Sequence, residues 1–93
     1  MQVIKKDGRI QSLDVIKIRS SILGASIDSN TIINESDLKV LSTRVVKVLQ
    51  GIRGDDGITS TYEIFVVIIE TLNKDGFIDI AMSYLGYKSK RDR

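Results

Sequence analysis

Three lysines gather around one tight turn and one helix start in the stretch "VIKKDGRIQSLDVIKI", Val3 to Ile18. Lys5 and Lys6 precede an Asp7-Gly8 turn, and Lys17 follows Asp14, a residue type that caps helices. With Asp14 as the cap, Lys17 falls in the first turn, where a cation works against the helix dipole and stability alone would favour an acid. The same helix end presents free amide protons. Cation, helix N-terminus and hairpin lysine together make a site for an anion, with phosphate the usual guest. Lys17 also fits the solvent face of a short amphipathic helix, and the residue types alone leave both readings open. A second basic group, "KSKRDR" from Lys88 to Arg93, sets four cations against one acid. It reads either as a solvated terminus or as a contact for phosphate or nucleic acid.

Other chemistry is excluded by composition. The chain has no cysteine and no histidine, which removes disulfides, zinc sites, thiol nucleophiles and imidazole bases together. Asp55-Asp56 is an acidic pair in a loop, best explained as a solvated turn, and "GIRGDDGITST" lacks the lysine and hydroxyl pair of a P-loop. No general base stands near a nucleophile, so the chain is not expected to be an enzyme. Its 93 residues, 42% hydrophobic and 28% charged, suit one globular domain over residues 1–93. A net charge of +2 produces only a weak overall field, so recognition must rest on local clusters. No stretch approaches the roughly 20 apolar residues of a membrane span, and Met1 leads directly into a strand pattern. The chain therefore reads as cytoplasmic, with no membrane partner.

The elements that would hold the lysines can be read from period and punctuation. Asp7-Gly8 lies between runs containing Val3, Ile4, Ile10 and Leu13, a hairpin signal. A two-residue loop would set Lys6 against Arg9, an unfavourable like-charge pair. A three-residue loop, Asp7-Gly8-Arg9, pairs Lys5 with Gln11 and Val3 with Leu13, and puts Val3, Lys5, Gln11 and Leu13 on one face. The first helix is expected from Ser12 or Asp14 to about Ser26, burying Val15, Ile18, Ile22 and Ala25. Asn34 or Asp37 caps a second helix, whose core residues are Leu38, Leu41, Val45, Val48, Leu49 and Ile52. Glycines end it, and Ile58 to Ser60 forms a short third strand. Ser60 and Glu63 have capping-box spacing and start a third helix near Thr61. With Ile64 to Ile69 apolar throughout, this helix reads as the central, most buried one. A fourth helix, about Asp79 to Lys88, buries Ile80, Ala81, Tyr84 and Leu85.

In this order of elements, and in "VIKKDGRIQSLDVIKI", "TYEI" at Thr61 to Ile64 and "AMSYLGYKSKR" near the end, the chain resembles the ATP-cone. That family comprises nucleotide-binding regulatory domains of ribonucleotide reductases and of the repressor of reductase genes. The resemblance covers essentially the whole chain and implies an α+β fold, a four-helix bundle capped by a small three-stranded sheet. Carried over by position, it implies that Lys5 and Lys17 hold phosphates, with Lys6 beside them in the hairpin. Val3, Leu13, Ile18 and Ile64 would enclose the base, Gln11 and Asp14 would meet the polar edge of adenine, and Thr61 would donate to a phosphate. Phe65 stands at a site position where some members have histidine, and Lys88, Lys90 or Arg91 would supply a further phosphate partner. The hairpin face read from parity carries four of these positions.

The resemblance implies a free-standing, non-catalytic domain that binds ATP or dATP, with Mg²⁺ bound through the phosphates. It would transmit nucleotide status by associating with itself or with a partner such as a ribonucleotide reductase subunit, in allosteric or transcriptional control. Neither the repressor's zinc-binding cysteines nor the reductase's catalytic ones are in the chain. The competing expectation is a nucleic-acid-associated accessory protein or transcriptional regulator using the basic C-terminal residues. The chain has no aromatic stacking platform or recognisable reading helix for that role.

Overall fold

Each strand is three residues long, and the second and third lead almost directly into helices. The order is β1 (Gln2–Ile4), β2 (Ile10–Ser12), α1 (Val15–Asp28), α2 (Glu35–Arg53), β3 (Ile58–Ser60), α3 (Thr61–Lys74) and α4 (Ile78–Arg91). The computed structural model describes residues 1–91, and their side chains as far as residue 86. The side chains of Lys88, Lys90 and Arg91 thus lie outside the described residues.

β1 is the middle strand of a three-stranded sheet ordered β2-β1-β3, antiparallel to β2 and parallel to β3. The helices make a bundle in which α1 packs on α2 and α4, and α3 packs on the same two neighbours. α1 and α3 therefore stand at opposite corners. The expected architecture of four helices capped by a small sheet is the one observed.

The hairpin register differs from expectation by two residues. Val3 pairs with Gln11 and Ile4 with Ile10, while Lys5 N–H donates to the Arg9 carbonyl at 2.8 Å and Gly8 N–H to the Lys5 carbonyl at 2.9 Å. The loop is thus Lys6-Asp7-Gly8, and Gly8 takes the positive φ of 87° that this bulged turn requires. Lys5 faces Arg9 across the strands, a like-charge pairing that Asp7 relieves. Its carboxylate accepts from the Arg9 N–H at 3.1 Å and from Arg9 Nε at 2.6 Å. A slip of two leaves side-chain parity unchanged. Val3, Lys5, Gln11 and Leu13 therefore still share the inner face.

Caps set the helix starts. Asp14 accepts from the Ile16 N–H at 2.9 Å, Asn34 from the Asp37 N–H at 2.7 Å and Ser60 from the Glu63 N–H at 3.0 Å. Ser60 and Glu63 make only half of a capping box, because the Glu63 carboxylate is engaged elsewhere. It accepts from Arg53 Nε and Nη2, at 3.0 and 2.9 Å, and from Thr59 Oγ1 at 2.7 Å. The end of α2, strand β3 and the start of α3 are thereby joined at one carboxylate. Arg44 of α2 pairs with Asp75, the residue closing α3.

Ile22, Leu41, Val45, Leu49, Ile68, Leu72 and Ile80 form the centre of the core, with Ile18, Ala25, Leu38, Val67, Ala81 and Tyr84 around them. Four residues expected inside lie outside: Val15, Val48, Ile52 and Leu85 are 37, 39, 54 and 45% exposed. Each extends an apolar stripe beyond the width that neighbouring helices cover. α3 is likewise one corner of the bundle rather than its centre. Val67, Ile68, Thr71 and Leu72 are buried, whereas Ile64, Phe65, Val66 and Ile69 are half-buried.

Gly57 marks the closest approach of β3 to α2. A Cβ there would lie 2.0 Å from the Arg53 carbonyl oxygen, a backbone atom that cannot swing aside. Gly57→Ala should lower stability in a denaturant titration by about 1–3 kcal/mol, the scale of a forced overpacking. The hydrogen bonds from Arg53 and then Thr59, together with the Arg53 charge, hold the Glu63 carboxyl below its ordinary value, against a smaller opposing effect of burial. A depressed folded-state pKa contributes stability above the unfolded value near 4.3, and this is lost as pH falls through the folded value. Glu63→Gln should therefore flatten the acid limb of a plot of thermal midpoint against pH, and a variant with the parent's slope would remove Glu63 from the acid response.

Candidate functional site

The sheet pairing positions two helix N-termini. Because β2 runs antiparallel to β1, α1 leaves the sheet near Gln2, the partner of Ser12; because β3 runs parallel, α3 leaves near Ile4, the partner of Ser60. The two starts lie on opposite edges of the sheet, two strand spacings or about 10 Å apart, and are offset by two residues along β1. A cleft of about 200 Å³ opens between them under the inner face of the sheet.

Three walls line it. The sheet and the turn into α1 contribute Val3, Lys5, Gln11, Ser12 and Leu13; α1 and its cap contribute Asp14, Lys17, Ile18 and Ser21; α3 contributes Thr61, Ile64 and Ile68. Nine residues singled out from the sequence thus meet in one cavity: Val3, Lys5, Gln11, Leu13, Asp14, Lys17, Ile18, Thr61 and Ile64. Val3 is 4% exposed and forms an apolar roof, while Lys5 follows Ile4 and so stands beside the residue capping α3.

The electrostatics set α1 apart. α2 carries Glu35 and Asp37 in its first turn, α3 carries Glu63 and α4 carries Asp79, but α1 has no acid there. Its cap, Asp14, satisfies one amide and leaves Lys17 facing the cleft. A cation on the sheet wall and another on the α1 wall, with apolar surface and two helix starts beside them, can hold a flat apolar group bearing an anionic tail.

Two nominated residues stand apart. Lys6 lies in the exposed hairpin loop, and Phe65 points away from the cleft to stack on Tyr84, ring centroids 5.4 Å apart and planes 25° from parallel. Lys88 and Arg91 belong to α4, with their side chains beyond the described part.

Ser12, Ser21 and Ile68 line the cleft without having been singled out. For two of them a signal existed, since Ser21 follows Lys17 and Ile68 follows Ile64 by four residues, one helical turn on the same face. Ser21 also faces the phenol of Tyr84. Burial pushes that phenol above the ordinary tyrosine range, and the Ser21 hydroxyl opposes the shift.

No described helix is long and apolar enough to cross a membrane. A comparison with curated proteins finds no match. The family model described as the ATP cone domain matches residues 1–93. With that match spanning the same elements that build the cleft, the chain belongs to the ATP-cone family, regulatory and non-catalytic domains that bind ATP and dATP as effectors.

Proposed function

We propose that the cleft between sheet, α1 and α3 is the effector site and that the domain reports adenine nucleotide status by changing how it associates. The observation that carries this is the convergence of Lys5, Lys17 and Thr61 on one cavity whose apolar lining includes Val3, Leu13, Ile18 and Ile64. In this reading Lys5, Lys17 and the α3 start hold the phosphates, with Mg²⁺ arriving on them. The four apolar side chains enclose the base, and Gln11 with the free oxygen of Asp14 faces its polar edge. Asp14 has one oxygen committed to the Ile16 amide, so its orientation toward a ligand is set before binding. The readout is self-association or contact with a partner such as a ribonucleotide reductase subunit, under allosteric or transcriptional control, in the cytoplasm. A shift in assembly requires that the nucleotide bind one associated state more tightly than another.

Calorimetric titration of the chain with ATP, dATP and GTP in magnesium buffer, with light scattering on the same samples, tests the reading. Saturable binding of the adenine nucleotides with a change in mass is expected, and a chain that binds none of the three would overturn it. Lys17→Ala should weaken ATP binding by about 1–3 kcal/mol, the scale of losing a charged hydrogen-bond partner. An unchanged affinity in that variant would remove Lys17 from the phosphate site.

A further inference from the structure

The start of α3 carries a charge that works against its place at the cleft. Thr61 brings that helix end to the cavity, yet an acid, Glu63, stands in the first turn. Glu63 follows the cap Ser60 by three residues, the spacing at which a glutamate ordinarily turns back to the cap amide and settles over the helix N-terminus. Its charge would then occupy the place that an incoming phosphate needs. The structure shows the carboxylate drawn the other way. Arg53, the last residue of α2, donates from Nε to one carboxylate oxygen at 3.0 Å and from Nη2 to the other at 2.9 Å, and Thr59 Oγ1 donates to the first at 2.7 Å. The Ser60 hydroxyl caps α3 without help, accepting from the Glu63 N–H at 3.0 Å.

Resting on the nucleotide reading above, we infer that Glu63 is a built-in competitor for the phosphate position at the start of α3, and that Arg53 is the positioning residue that keeps it out. Thr61, Ile64 and Ile68 turn one side of α3 to the cleft, whereas Glu63 is held on the side facing α2. A two-pronged pair between guanidinium and carboxylate fixes direction as well as neutralising charge, which a lone hydroxyl such as that of Thr59 does not. The hydrogen bond from Arg53, ahead of that from Thr59, also holds the Glu63 carboxyl below its ordinary range, so the competitor is an anion at neutral pH. Loss of Arg53 therefore acts twice on a bound phosphate. It frees an anion one turn from the site and removes the cation that offsets it. The first amides of α3 have no partner within the helix, and they are the donors for which carboxylate and phosphate compete.

The test is calorimetry of ATP against the parent chain, Arg53→Gln, Glu63→Gln and the double variant, with thermal melts on the same samples to show that each is folded. The Arg53 side chain is half exposed, so its replacement leaves the core intact. Arg53→Gln should weaken ATP about three- to tenfold, the scale of a charge at a helix terminus. Glu63→Gln alone should bind within about twofold of the parent, because the acid it removes is already held aside. In the Arg53→Gln background the same change should return ATP to within about twofold of the parent, a coupling that a double-mutant cycle reads directly. The inference is overturned if Arg53→Gln binds as the parent does, or if Glu63→Gln weakens ATP as much as Arg53→Gln, which would make the pair a brace for α3. It is equally overturned if Glu63→Gln improves binding by one factor in both backgrounds, the mark of charge acting at a distance. The nucleotide reading survives each of these results, and a parent chain that does not bind ATP overturns both.

Discussion

β1 is three residues long and pairs on both edges, antiparallel to β2 and parallel to β3. Much of the molecule depends on that double pairing, because β2 is followed after two residues by α1 and β3 runs into α3 without a break. Isolated three-residue strands have little stability of their own. Here Leu13 N–H donates to the Met1 carbonyl at 2.9 Å and Gln2 N–H to the Gly57 carbonyl at 3.1 Å, extending the ladder at both edges. Val3 and Thr59 are buried under it. The opposite senses of the two pairings send α1 and α3 away from opposite ends of one strand, and the gap between them is the cleft.

α1 shows how stability and binding compete at that gap. Its first turn carries Lys17 in place of an acid, a choice that weakens the helix start by a few tenths of a kcal/mol to about 1 kcal/mol. The Asp14 cap offsets much of that cost, since such caps are typically worth about 1 kcal/mol. The result is a helix end that remains formed while presenting positive charge and an apolar wall to the same cavity. Lys5 supplies the second cation from the sheet, with Asp7 neutralising the adjacent Arg9 so that repulsion across the hairpin is reduced.

The remaining contacts keep the walls at fixed separation. Glu63 ties the end of α2 to the start of α3 through Arg53 and to β3 through Thr59, and Arg44 ties α2 to the end of α3. Such exposed pairs add little energy individually, and their value here is in holding α3 in register with the sheet. Among the described residues α4 lends none to the lining of the cleft, yet it packs along α1 and supports the α3 wall through the stack of Tyr84 on Phe65.

Local chemistry was legible in the sequence wherever a residue decides its own neighbourhood. Asp14, Asn34 and Ser60 set helix starts because a cap acts within three residues. The inner face of the hairpin was readable despite a register two residues off, because a strand repeats every two and such a slip returns each side chain to its side. The sequence also placed nine of the cleft residues through these local rules and the family resemblance. Tertiary structure alone decided the rest. Val15, Val48, Ile52 and Leu85 have helical spacing but no neighbour to cover them, since periodicity marks a stripe and the packing of other helices sets its buried width. Phe65 turned from the cleft to Tyr84 because its partner stands on α4, and only the closed bundle brings that helix alongside α3.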